Sequence, residues 1–146
     1  MKLREQMPEL TGATEWINEE VTMDELKGKA TLIHFWSVSC HLCKEAMPEI
    51  NELRDEYDDD LNVIAVHMPR SEDDLEIGVI RSMAMGHDIT QPIFVDSEHK
   101  LTEAFENKYV PAYYVFDEEG KLRHFQAGGS GMKMLKKRIN RVLGIE

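Results

Sequence analysis

"FWSVSCHLCKEAMP", residues Phe35 to Pro48, contains both cysteines of the chain and joins two different hydrophobic patterns. Upstream, "TLIHFWSV" (31–38) is apolar almost throughout and rich in β-branched and aromatic residues, which predicts a strand buried on both faces. Downstream, Met47, Ile50, Leu53 and Tyr57 recur at helical spacing, with Glu49, Glu52, Asp55 and Glu56 on the wet side. A buried strand therefore runs directly into an amphipathic helix, and Cys40 and Cys43 sit at the junction. In open α/β sheets the carboxyl ends of strands are where sites collect.

The remaining segments extend this pattern on both sides. "WINEEVTMDELKGKA" predicts a short extended segment and then a turn of helix ending at Gly28. "LNVIAVHM" (Leu61 to Met68) predicts a second buried strand. "SEDDLEIGVIRSMAMG" predicts a helix capped by Ser71, with acidic residues at its positive end. "QPIFVD" is a short strand, and "SEHKLTEAFENK" a helix capped by Ser97. "AYYVFDEEGKLRHFQAGG" reads as two strands around a Glu-Glu-Gly turn, a hairpin signal. A last helix starts at Ser130, with Leu135, Ile139 and Val142 inward and Lys136, Lys137, Arg138 and Arg141 outward. Alternation of this kind predicts an α/β fold with a central mixed sheet covered on both faces.

Composition bounds the function. A chain of 146 residues without repeats or linkers predicts one domain spanning residues 1–146. A formal charge of −11 argues against a nucleic-acid partner, whose backbone demands a basic footprint. No stretch has the length of a membrane span, and "MKLREQMPEL" is not followed by a signal-peptide core. The expectation is a cytoplasmic protein with no membrane partner. In a reducing compartment a disulfide is usually transient and catalytic rather than structural.

Two thiols separated by two residues admit three chemistries. They can be a redox couple, since a sulfur at a helix amino terminus feels unpaired N–H groups and the positive dipole end, which favour the reactive thiolate. On that reading Cys40, at the exposed end, attacks, and the deeper Cys43 resolves the mixed disulfide. They can be half of a zinc site, although zinc takes four ligands, no second Cys pair exists, and His34, His41 and His67 have no recognised ligand spacing. They can also be two inert core residues. Spacing and strand–helix context favour the first.

At this point the sequence resembles the thioredoxin superfamily. "FWSVSCHLCK" is similar to its active site, in which an aromatic-rich strand leads to Cys-x-x-Cys, and Pro48, five residues after Cys43, matches its helix proline. "YVPAYYVFDEEGKL" resembles the segment holding its cis-proline, followed by the terminal hairpin and helix. The extra helix and strand between Met68 and Asp96, ahead of that segment, resemble the insertion of the TlpA and peroxiredoxin-like branch, and within it the YkuV-type thiol-disulfide oxidoreductases of bacilli. The resemblance implies a thioredoxin-like fold. It makes Cys40 the nucleophile, Cys43 the resolving thiol, Trp36 the aromatic neighbour, and Pro111 a cis-proline facing the disulfide. It also implies a substrate-binding edge comprising the Val110 backbone with His41 and Leu42.

Departures from the family pattern bear on proton transfer. The intervening residues are His41-Leu42 where thioredoxins have Gly-Pro. A charged His41 would stabilise a thiolate, while the helix dipole opposes that charge. His34 stands six residues before Cys40, where thioredoxins carry a buried Asp, and is a candidate base for deprotonating Cys43. Ala46 stands where TlpA relatives often place a Glu. His67 is a weaker candidate, and His87, His99 and His124 read as surface or turn residues.

The expected function is a cytosolic thiol-disulfide oxidoreductase acting on disulfide-containing protein substrates. The chain has no nucleotide-binding glycine motif and implies no cofactor of its own. Electrons are expected from a separate donor, such as a thioredoxin reductase or a low-molecular-weight thiol. Two alternatives remain. One is a peroxide-reducing enzyme, because Ser37-x-x-Cys40 is similar to the peroxiredoxin Thr/Ser-x-x-Cys, although Ile33 replaces the expected proline. The other is a metal-binding or carrier module using the cysteines and a histidine.

Overall fold

The computed structural model describes residues 1–145. Six strands form one sheet: β1 (Glu15–Ile17), β2 (Ala30–Trp36), β3 (Leu61–His67), β4 (Ile93–Val95), β5 (Ala112–Phe116) and β6 (Leu122–Ala127). Their order across the sheet is β1-β4-β3-β2-β5-β6. β2 and β4 both run parallel to β3, whereas β1–β4, β2–β5 and β5–β6 are antiparallel. The helices are α1 (Met23–Leu26), α2 (His41–Glu56), α3 (Ile77–Gly86), α4 (Lys100–Phe105) and α5 (Met132–Leu143).

All seven residues of β2 are buried, as its apolar run requires of a strand with helices on either side. Side-chain alternation divides it between two layers. Ile33 and Phe35 share one layer with Ile64, Val66, Tyr114 and Phe116 and with Leu26 of α1 and Leu101 and Phe105 of α4. Ala30 and Leu32 face α2 and α5, meeting Ala46, Ile50, Leu53, Leu135 and Ile139. Trp36, Ala65, Ile93 and Val95 continue the second layer beneath Cys43 and Met47 of α2 and Ile80 and Ala84 of α3. Each fully buried side chain the size of valine, leucine or phenylalanine contributes about 1.5–3 kcal/mol of transfer free energy.

Helix starts differ from the sequence expectation in three places. Residues 72–75 form a short 3-10 turn, and α3 begins only at Ile77, because Glu76 is extended (φ −68°, ψ 106°). Ser71 makes no side-chain cap there. The turn instead buries Asp74. Ser97 does not cap α4; the buried Asp96 carboxylate accepts from the amides of Leu101 (3.0 Å) and Thr102 (2.7 Å) and from the Thr102 hydroxyl (2.6 Å). α5 begins at Met132 rather than Ser130, after Gly131 at φ 91°, a conformation that suits glycine. Among the described residues no helix is long and apolar enough to cross a membrane.

Candidate active site

β2 ends at Trp36, and the loop Ser37-Val38-Ser39 delivers Cys40 to the amino end of α2. Cys40 is the N-cap of that helix (φ −92°, ψ 105°), and its sulfur takes the side-chain acceptor role that a serine or aspartate oxygen usually fills. The Cys43 amide donates to Cys40 Sγ across 3.1 Å. The two cysteines form a disulfide with their Cα atoms 5.3 Å apart. Exposure does not separate them as expected: Cys40 is 3% exposed and Cys43 2%. Their difference lies in position on the helix. Pro48 is inside α2 and the helix continues through it, with only the N–H that would have met Lys44 missing.

The loop before Cys40 is tied to a segment distant in sequence. Asp74 Oδ2 accepts from the hydroxyls of Ser37 (2.9 Å) and Ser39 (2.8 Å) and from the Arg70 amide (2.8 Å). Burial opposes ionisation of Asp74, but the bonds from Arg70, Ser39 and Ser37 together outweigh it and hold the carboxyl below its usual value. The Val38 amide donates to His67 Nε2 at 3.3 Å. Sequence reasoning missed Asp74 and Arg70, since nothing in "SEDDLE" separates a buried carboxylate from a helix-capping one. Ser37, the residue of the peroxiredoxin-like signature, spends its hydroxyl on Asp74.

His34 is buried beneath α2 with Gln91 Nε2 2.9 Å from its own Nε2. Gln91 Oε1 accepts from Arg54 at 2.9 Å, which orients the amide so that its NH₂ donates to the imidazole. The Nε2 lone pair is therefore occupied and the ring proton sits on Nδ1. Burial first, and the Arg54 guanidinium second, lower the His34 pKa to about 3. This corrects the expected role. A neutral imidazole whose acceptor nitrogen is already bonded, and whose basicity is that low, is not an available base for Cys43 near neutral pH.

Trp36 and His67 are register partners on β2 and β3, packed edge-to-face with centroids 5.0 Å apart. Burial lowers the His67 pKa to about 4, partly countered by the Asp74 carboxylate. Because His67 Nε2 accepts from Val38, its proton is on Nδ1. That nitrogen and Trp36 Nε1 are buried without a hydrogen-bond partner. Trp36 shares its apolar cluster with both cysteines, so it is the aromatic neighbour of the site.

The rim is built from three further segments. The Val110–Pro111 peptide bond is cis. Asn107 holds the approach to it, donating to the Tyr109 carbonyl (2.8 Å) while accepting from the Tyr114 hydroxyl (2.8 Å). Val110 packs against the cluster containing the cysteines, and neither its N–H nor its C=O is engaged by another group among the described residues. His41 is exposed and pairs with Glu45, Nε2 to Oε1 at 2.7 Å, so a charge on it would be offset one turn along α2. Leu42 is 48% exposed and lies against Gly129, where an added Cβ would come within 3.0 Å of the Leu42 Cβ. The clefts of 690 and 670 Å³ contain neither cysteine, although Gly129 lines the second. The disulfide is itself buried, and the exposed His41 and Leu42 lie between its two cysteines in sequence.

Known proteins are similar to this chain in sequence and in fold. The family model described as AhpC/TSA family matches residues 3–125. Thiol-disulfide oxidoreductase YkuV of Bacillus subtilis is 74% identical over 144 residues, covering 98% of this chain and 97% of that one. Thioredoxin-like protein YneN of the same organism is 28% identical over 122 residues, covering 84% and 70%. The solution structure of a thioredoxin-like protein in the oxidized form matches with a TM-score of 0.92 and 72% identity, covering 100% of both chains. A mixed six-stranded sheet with a Cys-x-x-Cys disulfide at the end of its central strand, together with these matches, places the chain in the AhpC/TSA family, among its thioredoxin-like thiol-disulfide oxidoreductases.

Proposed function

We propose that the chain reduces protein disulfides, with Cys40 as nucleophile and Cys43 as resolving thiol. The observation that carries the roles is the N-cap position of Cys40, whose sulfur faces the Cys43 N–H at 3.1 Å. Negative charge on that sulfur is stabilised by the same donor and by the helix dipole. In the reduced enzyme the Cys40 thiolate attacks one sulfur of a substrate disulfide, and the other substrate sulfur leaves as thiolate. The Cys43 thiolate then attacks Cys40 Sγ, expelling the second substrate sulfur. Two electrons pass to the substrate, and the Cys40–Cys43 disulfide is left. Its reduction for the next cycle requires an external donor, a thioredoxin reductase or a low-molecular-weight thiol.

The free backbone of Val110 supports an extended substrate segment beside the sulfurs, with Pro111, Leu42 and His41 bordering it. A chain whose cysteines are limited to the redox pair suits a reducing cytosol, where we place the reaction.

The test is covalent trapping. Cys43→Ser lacks a thiolate for the second step, so reducible adducts with a limited set of cytosolic proteins accumulate on Cys40, while Cys40→Ser accumulates few. Equal trapping by both variants overturns the assignment of roles. Sulfenic acid on Cys40 after peroxide, without protein adducts, makes the enzyme a peroxidase instead.

A further inference from the structure

Arg70 lies in the connection between β3 and the 3-10 turn, far from Cys40 in sequence, yet its side chain is fixed to the residue immediately before it. Arg70 Nη2 donates to the Ser39 carbonyl at 2.6 Å, and Nε donates to Ser39 Oγ at 3.1 Å. Ser39 Oγ in turn donates to Asp74, whose carboxylate also holds the Arg70 amide. One carboxylate therefore anchors both the backbone of Arg70 and the hydroxyl that its guanidinium grips. Because the Ser39 carbonyl is bonded to the Cys40 nitrogen, amide geometry puts Nη2 within about 5 Å of that nitrogen. The guanidinium makes no ion pair with a carboxylate among the described residues. None of these bonds involves a sulfur, so opening the disulfide breaks none of them.

We propose that Arg70 is a positioning residue for Cys40, a fixed positive charge that stabilises the thiolate while its grip on Ser39 sets the attitude of the loop. The inference rests on Cys40 being the nucleophile. Lys44, one turn past Cys40 on α2, is a second cation without an ion pair among the described residues, but no hydrogen bond fixes its ammonium to the loop that delivers Cys40. The remaining ionisable groups around the site do not supply this charge. His41 on α2 is matched by Glu45, and His67 on β3 is a neutral, buried acceptor. His34 on β2 is neutral and bonded to Gln91. Arg81 of α3 pairs with Glu15. Asp74 has the opposing sign and shares Ser39 Oγ with the guanidinium, but its Oδ2 is already engaged by three donors. On the edge, Val110 and Pro111 carry no ionisable side chain, and the exposed Lys108 and Tyr109 that precede them make no side-chain bond to the Cys40 loop among the described residues. On a chain of net charge −11, a guanidinium beside the nucleophile that touches no carboxylate directly, and meets Asp74 only through Ser39 Oγ, opposes locally the field of the whole molecule.

The experiment titrates a single thiol by thiolate absorbance and by the pH profile of alkylation. In a Cys43→Ser background, Arg70→Gln raises the Cys40 pKa by about half a unit or more, and 1 M salt shrinks the difference. Arg70→Lys, which keeps the charge but loses the two-pronged grip, recovers most of the shift. Circular dichroism and the thermal midpoint verify that the variants fold. Coincident titrations of the Arg70→Gln variant and its parent, or an Arg70→Lys variant that behaves like Arg70→Gln, overturn the inference. The same series in a Cys40→Ser background separates the two readings. If Cys43 proves the lower-pKa thiol, the assignment of the nucleophile fails; if Cys40 is lower but indifferent to these substitutions, only the role of Arg70 fails.

Discussion

The amide of Cys43 points at the sulfur of Cys40 across 3.1 Å, so one cysteine caps the helix that carries the other. A thiolate in that place takes the acceptor role normally given to a serine or aspartate oxygen, and charge strengthens the bond. Cys43, inside the first turn, has no equivalent donor aimed at its sulfur among the described residues. Brief alkylation of the reduced protein near neutral pH, read by peptide mass mapping, is therefore expected to modify Cys40 first. Preferential labelling of Cys43 would contradict the capping argument.

Leu42 and Gly129 meet at the rim of the disulfide. A side chain at position 129 enters space held by Leu42, since even a Cβ comes within 3.0 Å of the Leu42 Cβ and 3.1 Å of its Cδ2. Gly129→Val should displace Leu42 and raise KM for a protein disulfide severalfold, with the thiolate titration of Cys40 unchanged. Equal kinetics for the variant and the parent would remove Leu42 from the substrate edge.

Asp96 offers a test of the tertiary cap. Its carboxylate receives two amides and a hydroxyl in a fully buried setting. Asp96→Ala orphans those donors, and each buried unsatisfied group costs about 1–3 kcal/mol. Denaturant unfolding should show a loss of about 3 kcal/mol or more, whereas Ser97→Ala should change stability by less than about 0.5 kcal/mol.

Two buried histidines make the fold acid-sensitive. His34 and His67 have folded values lowered to about 3 and about 4 from 6.5. The unfolded chain therefore binds their protons first as pH falls. Their stabilising contribution is complete above pH 6.5 and is lost progressively below it, down toward pH 3 for His34 and pH 4 for His67. Each contributes a slope of about 1.4 kcal/mol per pH unit inside its window. His34→Gln should flatten the decline between about pH 6 and 4.5 by about 1–2 kcal/mol. It should also leave the pH dependence of mixed-disulfide resolution near neutral pH unaltered, because His34 does not titrate there. A resolution rate that loses its pH dependence in the variant would restore His34 as a base.

Local periodicity is enough to place the strand–helix junction, the hairpin, Cys40 and Cys43, and the all-buried character of β2. Periodicity reports which face of an element is buried without reference to its neighbours. The resemblance of "YVPAYYVF" likewise leads to the segment that borders the site. The polar partners come from tertiary contacts alone. Asp74 meets Ser37 across a separation of 37 residues, and Gln91 meets His34 across 57. Such pairs depend on strand register and on how an inserted turn folds back. A composition such as "SEDDLE" carries the same local signal whether its third carboxylate caps a helix or is buried under a loop. The role of His34 follows the same rule. Its position in the sequence points to a base, but the protonation of an imidazole is fixed by burial and by whichever donor reaches it, and the donor here comes from the far end of a distant helix–strand connection.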